Sequence, residues 1–149
     1  MARLSRRIIR EKAIQTLYPL SDSQVNFDLD QSLRFALEAG NDPEEGWSTE
    51  KVDPYLSQLV AGVTEHYQEL DSEIAHYLSG EWTLERIARI DLTILRLAFY
   101  ELIDVCPKDP DLVPSVVADE AIELAKTFSD DRSRKFISGV LAHYIQNNC

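Results

Sequence analysis

Cysteine, glycine and proline are scarce in this chain, and each scarcity closes off a class of protein. Two cysteines among 149 residues, Cys106 and Cys149, allow neither a disulfide framework nor a CxxC metal motif. So little cysteine suits a reducing cytosol. The five glycines stand singly, so no glycine-rich phosphate loop can be written. Six prolines leave long stretches free to be regular. No apolar run approaches the roughly 20 residues of a membrane span, and no signal-peptide pattern opens the sequence. The expectation is a cytoplasmic protein that makes no membrane contact. Basic residues are in short supply too, 15 Lys and Arg against 26 Asp and Glu, for a net charge of −11.

The few basic residues are not spread evenly. Arg3, Arg6, Arg7, Arg10 and Lys12 against Glu11 leave +4 on the first twelve residues, so the remainder must carry −15. Such asymmetry is expected where a basic end meets a polyanion. At 100° per residue Arg3, Arg6, Arg7 and Arg10 fall within an arc of about 100° on one helix face. Like charges at this spacing repel, and a helix N-terminus disfavours cations, so the stripe weakens the helix unless an anion neutralises it. The same arc runs on into Ile14, Leu17 and Tyr18. The second half of the helix is therefore predicted to dock on a core while the first half projects its arginines. A nucleic acid is the favoured partner, with pairing to the chain's own acids as the alternative.

An apolar fraction of 44% with two tryptophans is that of a folded chain. Helical periodicity predicts a first helix over residues 4–18, ending before Pro19 with Leu4 and Ile8 among its apolar positions, then a short helix over Leu33, Ala36 and Leu37 and an acidic loop from Gly40. Asp53-Pro54 opens a long amphipathic helix through Leu56, Leu59, Val60, Val63, Leu70 and Ile74 to Gly80. Thr83 opens the next, which stops near Pro107. Another begins near Ser115, and the last begins at Ser133, with Phe136, Ile137, Val140 and Leu141 inward. Nothing alternates at period two for long enough to require a strand. The predicted class is all-α, with about six to seven helices and no internal repeat.

Helical faces can hide catalytic or metal sites, but none stands out. Glu73 and His76 have the ExxH spacing of a di-iron helix without the second copy such a site needs. His66 and His143 accompany no recognisable nucleophile, and GxSxG is absent. Asp130-Asp131 and Glu44-Glu45 read as solvated loop charge. No enzyme activity, catalytic residue, metal or cofactor is expected.

Five segments, "RRIIREKAIQTLY" at 6–18, "LVAGV" at 59–63, "LERIARIDLTILRLAFYEL" at 84–102, "DEAIELAKTF" at 119–128 and "KFISGVL" at 135–141, together resemble the NusB family of bacterial transcription antitermination factors. The resemblance implies a single all-helical domain over 1–149, made of two packed helical subdomains. It also implies an arginine-rich first helix that helps bind boxA-type single-stranded RNA. The family pairs with NusE, a small-subunit ribosomal protein, in an antitermination complex on RNA polymerase during ribosomal RNA transcription. Carried onto this chain, Arg6, Arg7 and Arg10, with Arg3, become the RNA contacts, while Tyr100 and Glu101 become partner-facing. The acidic body suits a basic partner.

Three positions depart from the family pattern. Ser138 and Asp119 stand where asparagine is usual, and Arg132 stands where an acid is frequent. With Ser133 as the expected cap, Arg132, Arg134 and Lys135 crowd a helix N-terminus, which favours anions, so they are predicted to form a second RNA contact, with local neutralisation by Asp130 and Asp131 as the alternative. The competing reading is a helical protein-binding adaptor without specific RNA recognition. The sequence is compatible with a homodimer of the free chain as well as a monomer.

Overall fold

The computed structural model describes residues 5–20 and 53–149. Arg3, Leu4, the short helix expected around Leu33 and the loop from Gly40 lie outside them. Among the described residues there are five α-helices and no strand: α1 (Arg6–Leu20), α2 (Pro54–His76), α3 (Arg89–Tyr100), α4 (Pro114–Phe128) and α5 (Asp131–Asn148). The chain divides into two compact units, Met1–Thr64 and Glu65–Cys149.

In the first unit, Ser5 begins α1 by accepting the N–H of Ile8 on its hydroxyl at 3.2 Å. The helix buries Ile9, Ala13, Ile14 and Leu17. Ile8 is 41% exposed, and Ile9 is buried. Lys12 is buried as well, which pulls its ammonium below its ordinary value, with Glu11 opposing the shift. Pro19 lies inside the last turn, where its missing N–H forgoes a single ladder bond, so α1 runs two residues past the predicted stop.

Asp53 caps α2 as predicted, its Oδ1 accepting the N–H groups of Tyr55 at 2.8 Å and Leu56 at 3.4 Å. Leu56, Leu59, Val60 and Val63 form the buried stripe. The expected unbroken helix to Gly80 is not what forms. It is kinked at His66 (φ −120°, ψ 17°), just after Thr64 donates its hydroxyl to the Val60 carbonyl at 2.7 Å, a contact that bends helices. It ends at His76, where the N–H groups of Tyr77 and Leu78 turn back three residues to Ile74 and Ala75, and Gly80 then takes φ +67°.

In the second unit α3 is buried on almost every side, the pattern of a central helix, and α3, α4 and α5 pack on one another. Their core includes Ile94, Leu95, Phe99, Leu124, Ile137 and Leu141. The helix does not open at Thr83, which makes no capping bond. Leu84–Arg86 is a single 3₁₀ turn, Ile87 is extended, and α3 starts only at Arg89. Beyond Tyr100 the chain widens into a π-helical turn, Glu101–Val105, and tightens into a 3₁₀ turn, Cys106–Lys108. Arg96 grips Asp71 with two parallel bonds of 2.7 Å (Nε to Oδ1, Nη2 to Oδ2) and ties the end of α2 to α3. Tyr77, Phe99 and Tyr144 form an aromatic cluster with centroids 5.0–6.3 Å apart, and burial raises the Tyr144 phenol above its ordinary value.

Candidate nucleic-acid interface

The arginine stripe of α1 changes character along its length. Arg6 and Arg7 are exposed, Arg10 is 3% exposed, and Ala13, Ile14 and Leu17 complete the same face in the core. The passage from projecting to docked was expected, but it comes one turn earlier than Ile14. Arg10 is therefore inside, and the surface arginines described here are Arg6 and Arg7. Tyr18, expected to dock with Ile14 and Leu17, is 42% exposed. The guanidinium carbon of Arg6 lies over the ring of Tyr55, 4.0 Å from its centroid. That is a cation–π contact with the capped first turn of α2.

A second cluster gathers in the other unit at the start of α5. The cap there is Asp130, not Ser133: its carboxylate accepts the Ser133 N–H at 2.9 Å. That backbone bond, followed by the Ser133 hydroxyl, holds the Asp130 carboxyl below its ordinary value. Arg132 consequently sits in the first turn of the helix, exposed, rather than ahead of it. Arg134 pairs with Asp131, and Lys135 is exposed. Asp91, 6% exposed, accepts the hydroxyls of Ser129 at 2.8 Å and Ser133 at 2.6 Å. One carboxylate thus fastens the start of α3 to the end of α4 and the start of α5.

These elements enclose a cleft of about 300 Å³ lined by Trp82, Arg86, Asp91, Asp130, Arg132 and Phe136, among others. Trp82 is 47% exposed, and its ring pairs with Phe136 at 4.8 Å and 42°. Trp82 thus offers an exposed aromatic face in a cleft that Arg86 and Arg132 also line. Sequence reasoning missed Trp82, Arg86 and Tyr55. Trp82 lies off every apolar stripe, and a tryptophan in a polar turn four residues before an arginine is the signal that could have found it.

Tyr100 and Glu101, nominated as partner-facing, are buried at 7% and 1% exposure. They sit where α3 passes into the π-turn. Asp119 is exposed, so its extra charge is solvated, and Ser138 is half-buried. Glu73 and His76 belong to no cluster of metal-ligating side chains among the described residues. No described helix is long and apolar enough to cross a membrane.

The family model described as the NusB family matches residues 7–146. The chain belongs to the NusB family. It is 50% identical over 145 residues to the transcription antitermination protein NusB of Lactiplantibacillus plantarum, an alignment that covers 97% of this chain and 96% of that one. Among solved structures it resembles T. maritima NusB, with a TM-score of 0.76 and 30% identity over 97% of this chain and 93% of that one. It also resembles a crystal structure of antitermination factors NusB and NusE in complex with double-stranded RNA, with a TM-score of 0.72 and 25% identity over 95% and 96%. The all-helical class is thus that of its NusB neighbours, and the relatives that match over nearly the full chain are transcription antitermination proteins. The motif that carried the resemblance also acquires a physical meaning: in R-I-x-x-x-D-x-x-I-L-R, Arg86 lines the cleft, Asp91 is its hydrogen-bonded floor, and Arg96 is the Asp71 clamp.

Proposed function

We propose that this NusB-family factor binds boxA-type single-stranded RNA through two sets of contacts. One is the pair Arg6 and Arg7 on α1. The other is the cleft at the start of α5, with Trp82 and Phe136 as stacking surfaces and Arg86 and Arg132 as phosphate grips, Arg134 and Lys135 standing beside it. It acts in the cytoplasm with a NusE-type ribosomal protein on RNA polymerase during ribosomal RNA transcription, and residues 1–149 serve as one RNA- and protein-binding domain. The observation that carries this reading is the exposed indole in a cleft that two arginines also line, because aromatic faces and cations together suit an unpaired strand better than they suit a protein acid. The neighbour solved with NusE and double-stranded RNA supports RNA and a NusE-type protein as the classes of ligand.

A protein-binding adaptor is the second reading, favoured by one observation: the burial of Arg10 removes a cation from the arm. Fluorescence polarisation with boxA-type and scrambled single-stranded RNA, each with and without NusE, separates the two. Preference for boxA-type RNA that strengthens with NusE is expected. Equal weak binding of both RNAs with NusE present would leave the adaptor.

A further inference from the structure

We propose that Tyr55 is a positioning residue for RNA, its ring holding the Arg6 guanidinium as a phosphate contact; the assignment rests on the RNA-binding reading above. The geometry starts two residues earlier. Asp53 accepts the Tyr55 and Leu56 N–H groups and so fixes the first turn of α2. Tyr55 is half-buried, which restricts its ring. Arg6, exposed in the first turn of α1, then lays its guanidinium 4.0 Å above that ring.

Two consequences follow from the chemistry of this pair. An aromatic face attracts a cation without cancelling its charge, whereas a carboxylate in the same place would neutralise what a phosphate needs. Stacking also occupies the flat face of the guanidinium, while its N–H donors lie in the plane and stay directed at its edge. A long arginine side chain loses rotamer freedom when it grips a ligand, and a chain already held by a ring loses less. Tyr55 thereby lowers the ordering cost of the Arg6 contact without touching RNA itself.

The test is a double-mutant cycle on the full chain, read by polarisation with a boxA-type single-stranded RNA over a salt series, with thermal melts alongside. Tyr55→Leu is expected to weaken binding roughly two- to fivefold, the range set by exposed cation–π pairs. It should also flatten the salt dependence toward that of Arg6→Ala, a change of about 0.7 in slope for one single-strand phosphate contact. Tyr55→Phe keeps the ring and should bind like the parent. Arg6→Ala should cost less in the Tyr55→Leu background than in the parent. Tyr55→Met replaces Tyr55→Leu if the latter does not fold.

A purely structural tyrosine would lower the melting temperature without coupling to Arg6 in the salt slope. Parental affinity and slope for folded Tyr55→Leu, alongside weakened Arg6→Ala, would overturn the positioning role and leave the RNA reading standing. Additive losses at the two positions would overturn it as well. No binding by the parent protein would overturn both.

Discussion

The beginnings of α1 and α5 each carry arginines where a helix dipole disfavours them, and the two are stabilised by different means. The first turn of α5 supplies its own acids: Asp130 caps the helix and Asp131 pairs with Arg134. The first turn of α1 has no acid and rests Arg6 on an aromatic ring instead. Carboxylates reduce the local charge, and a ring leaves it intact. At α5 the acids offset part of the local cationic charge, and Arg132 lines a cleft, while at α1 the Tyr55 ring holds Arg6 without itself adding negative charge.

The contrast breaks most severely at Asp91, which serves only the α5 side. Asp91→Ala removes the acceptor of two serine hydroxyls and should destabilise the protein by about 2–4 kcal/mol, the range for charge-assisted bonds with part-buried partners left unsatisfied. Chemical denaturation measures it, and the Arg6–Tyr55 pair should feel nothing. A loss no larger than that of a surface substitution would mean that Asp91 does not hold the three helix ends together.

On the α1 side the corresponding change is Arg6→Glu with Arg7→Glu. Both residues are exposed, so folding by circular dichroism should be unchanged. RNA affinity should fall on the order of 10- to 100-fold at low salt, and the salt slope should flatten by about 1.4, two single-strand contacts' worth. Unchanged affinity in the folded double mutant would remove α1 from the RNA site.

Arg132→Asp sharpens the comparison by giving α5 still more acid. RNA binding should weaken several-fold at low salt and much less at high salt, because an exposed cation acts through a screened field. The melting temperature should stay level or rise, since an acid in a first turn favours the dipole. Equal affinity of mutant and parent at low salt would show that this cleft does not touch RNA.

How much of this was legible beforehand depended on whether a feature is local. Asp53-Pro54 announced the start of α2 because a cap is a matter of two or three residues, and the arginine stripe announced its own gradient into the core. Thr83 and Ser133 misled for the same local reason. Each is a good capping residue, but Thr83 precedes only a 3₁₀ turn, and Ser133 gives its hydroxyl to Asp91, 42 residues away. No sequence window contains that partner. Tyr100 and Glu101 were nominated from a motif, and a motif does not say which side of a helix faces inward. The Trp82–Phe136 pair joins residues 54 positions apart and was invisible for the same reason as the Asp91 tie.

The smallest expected effect isolates the acid at the α5 cap. The Asp130 carboxyl lies below its ordinary value of 3.8 in the folded protein because its ionised form accepts the Ser133 N–H. Near that pH the unfolded chain binds more protons than the folded one, so stability rises with pH there. The contribution is fully present above the unfolded value, near pH 4 and higher, and is lost as pH falls through the lower folded value. Asparagine is an equally good cap but does not titrate. Asp130→Asn should therefore melt slightly below the parent at pH 7, where a carboxylate also favours the helix dipole, and the gap should close as the pH drops below about 4. Melts at half-unit steps between pH 3 and 7 measure it. A gap that stays constant across that range would show that the ionised carboxylate, as opposed to the hydrogen-bonding oxygen alone, contributes nothing to the cap.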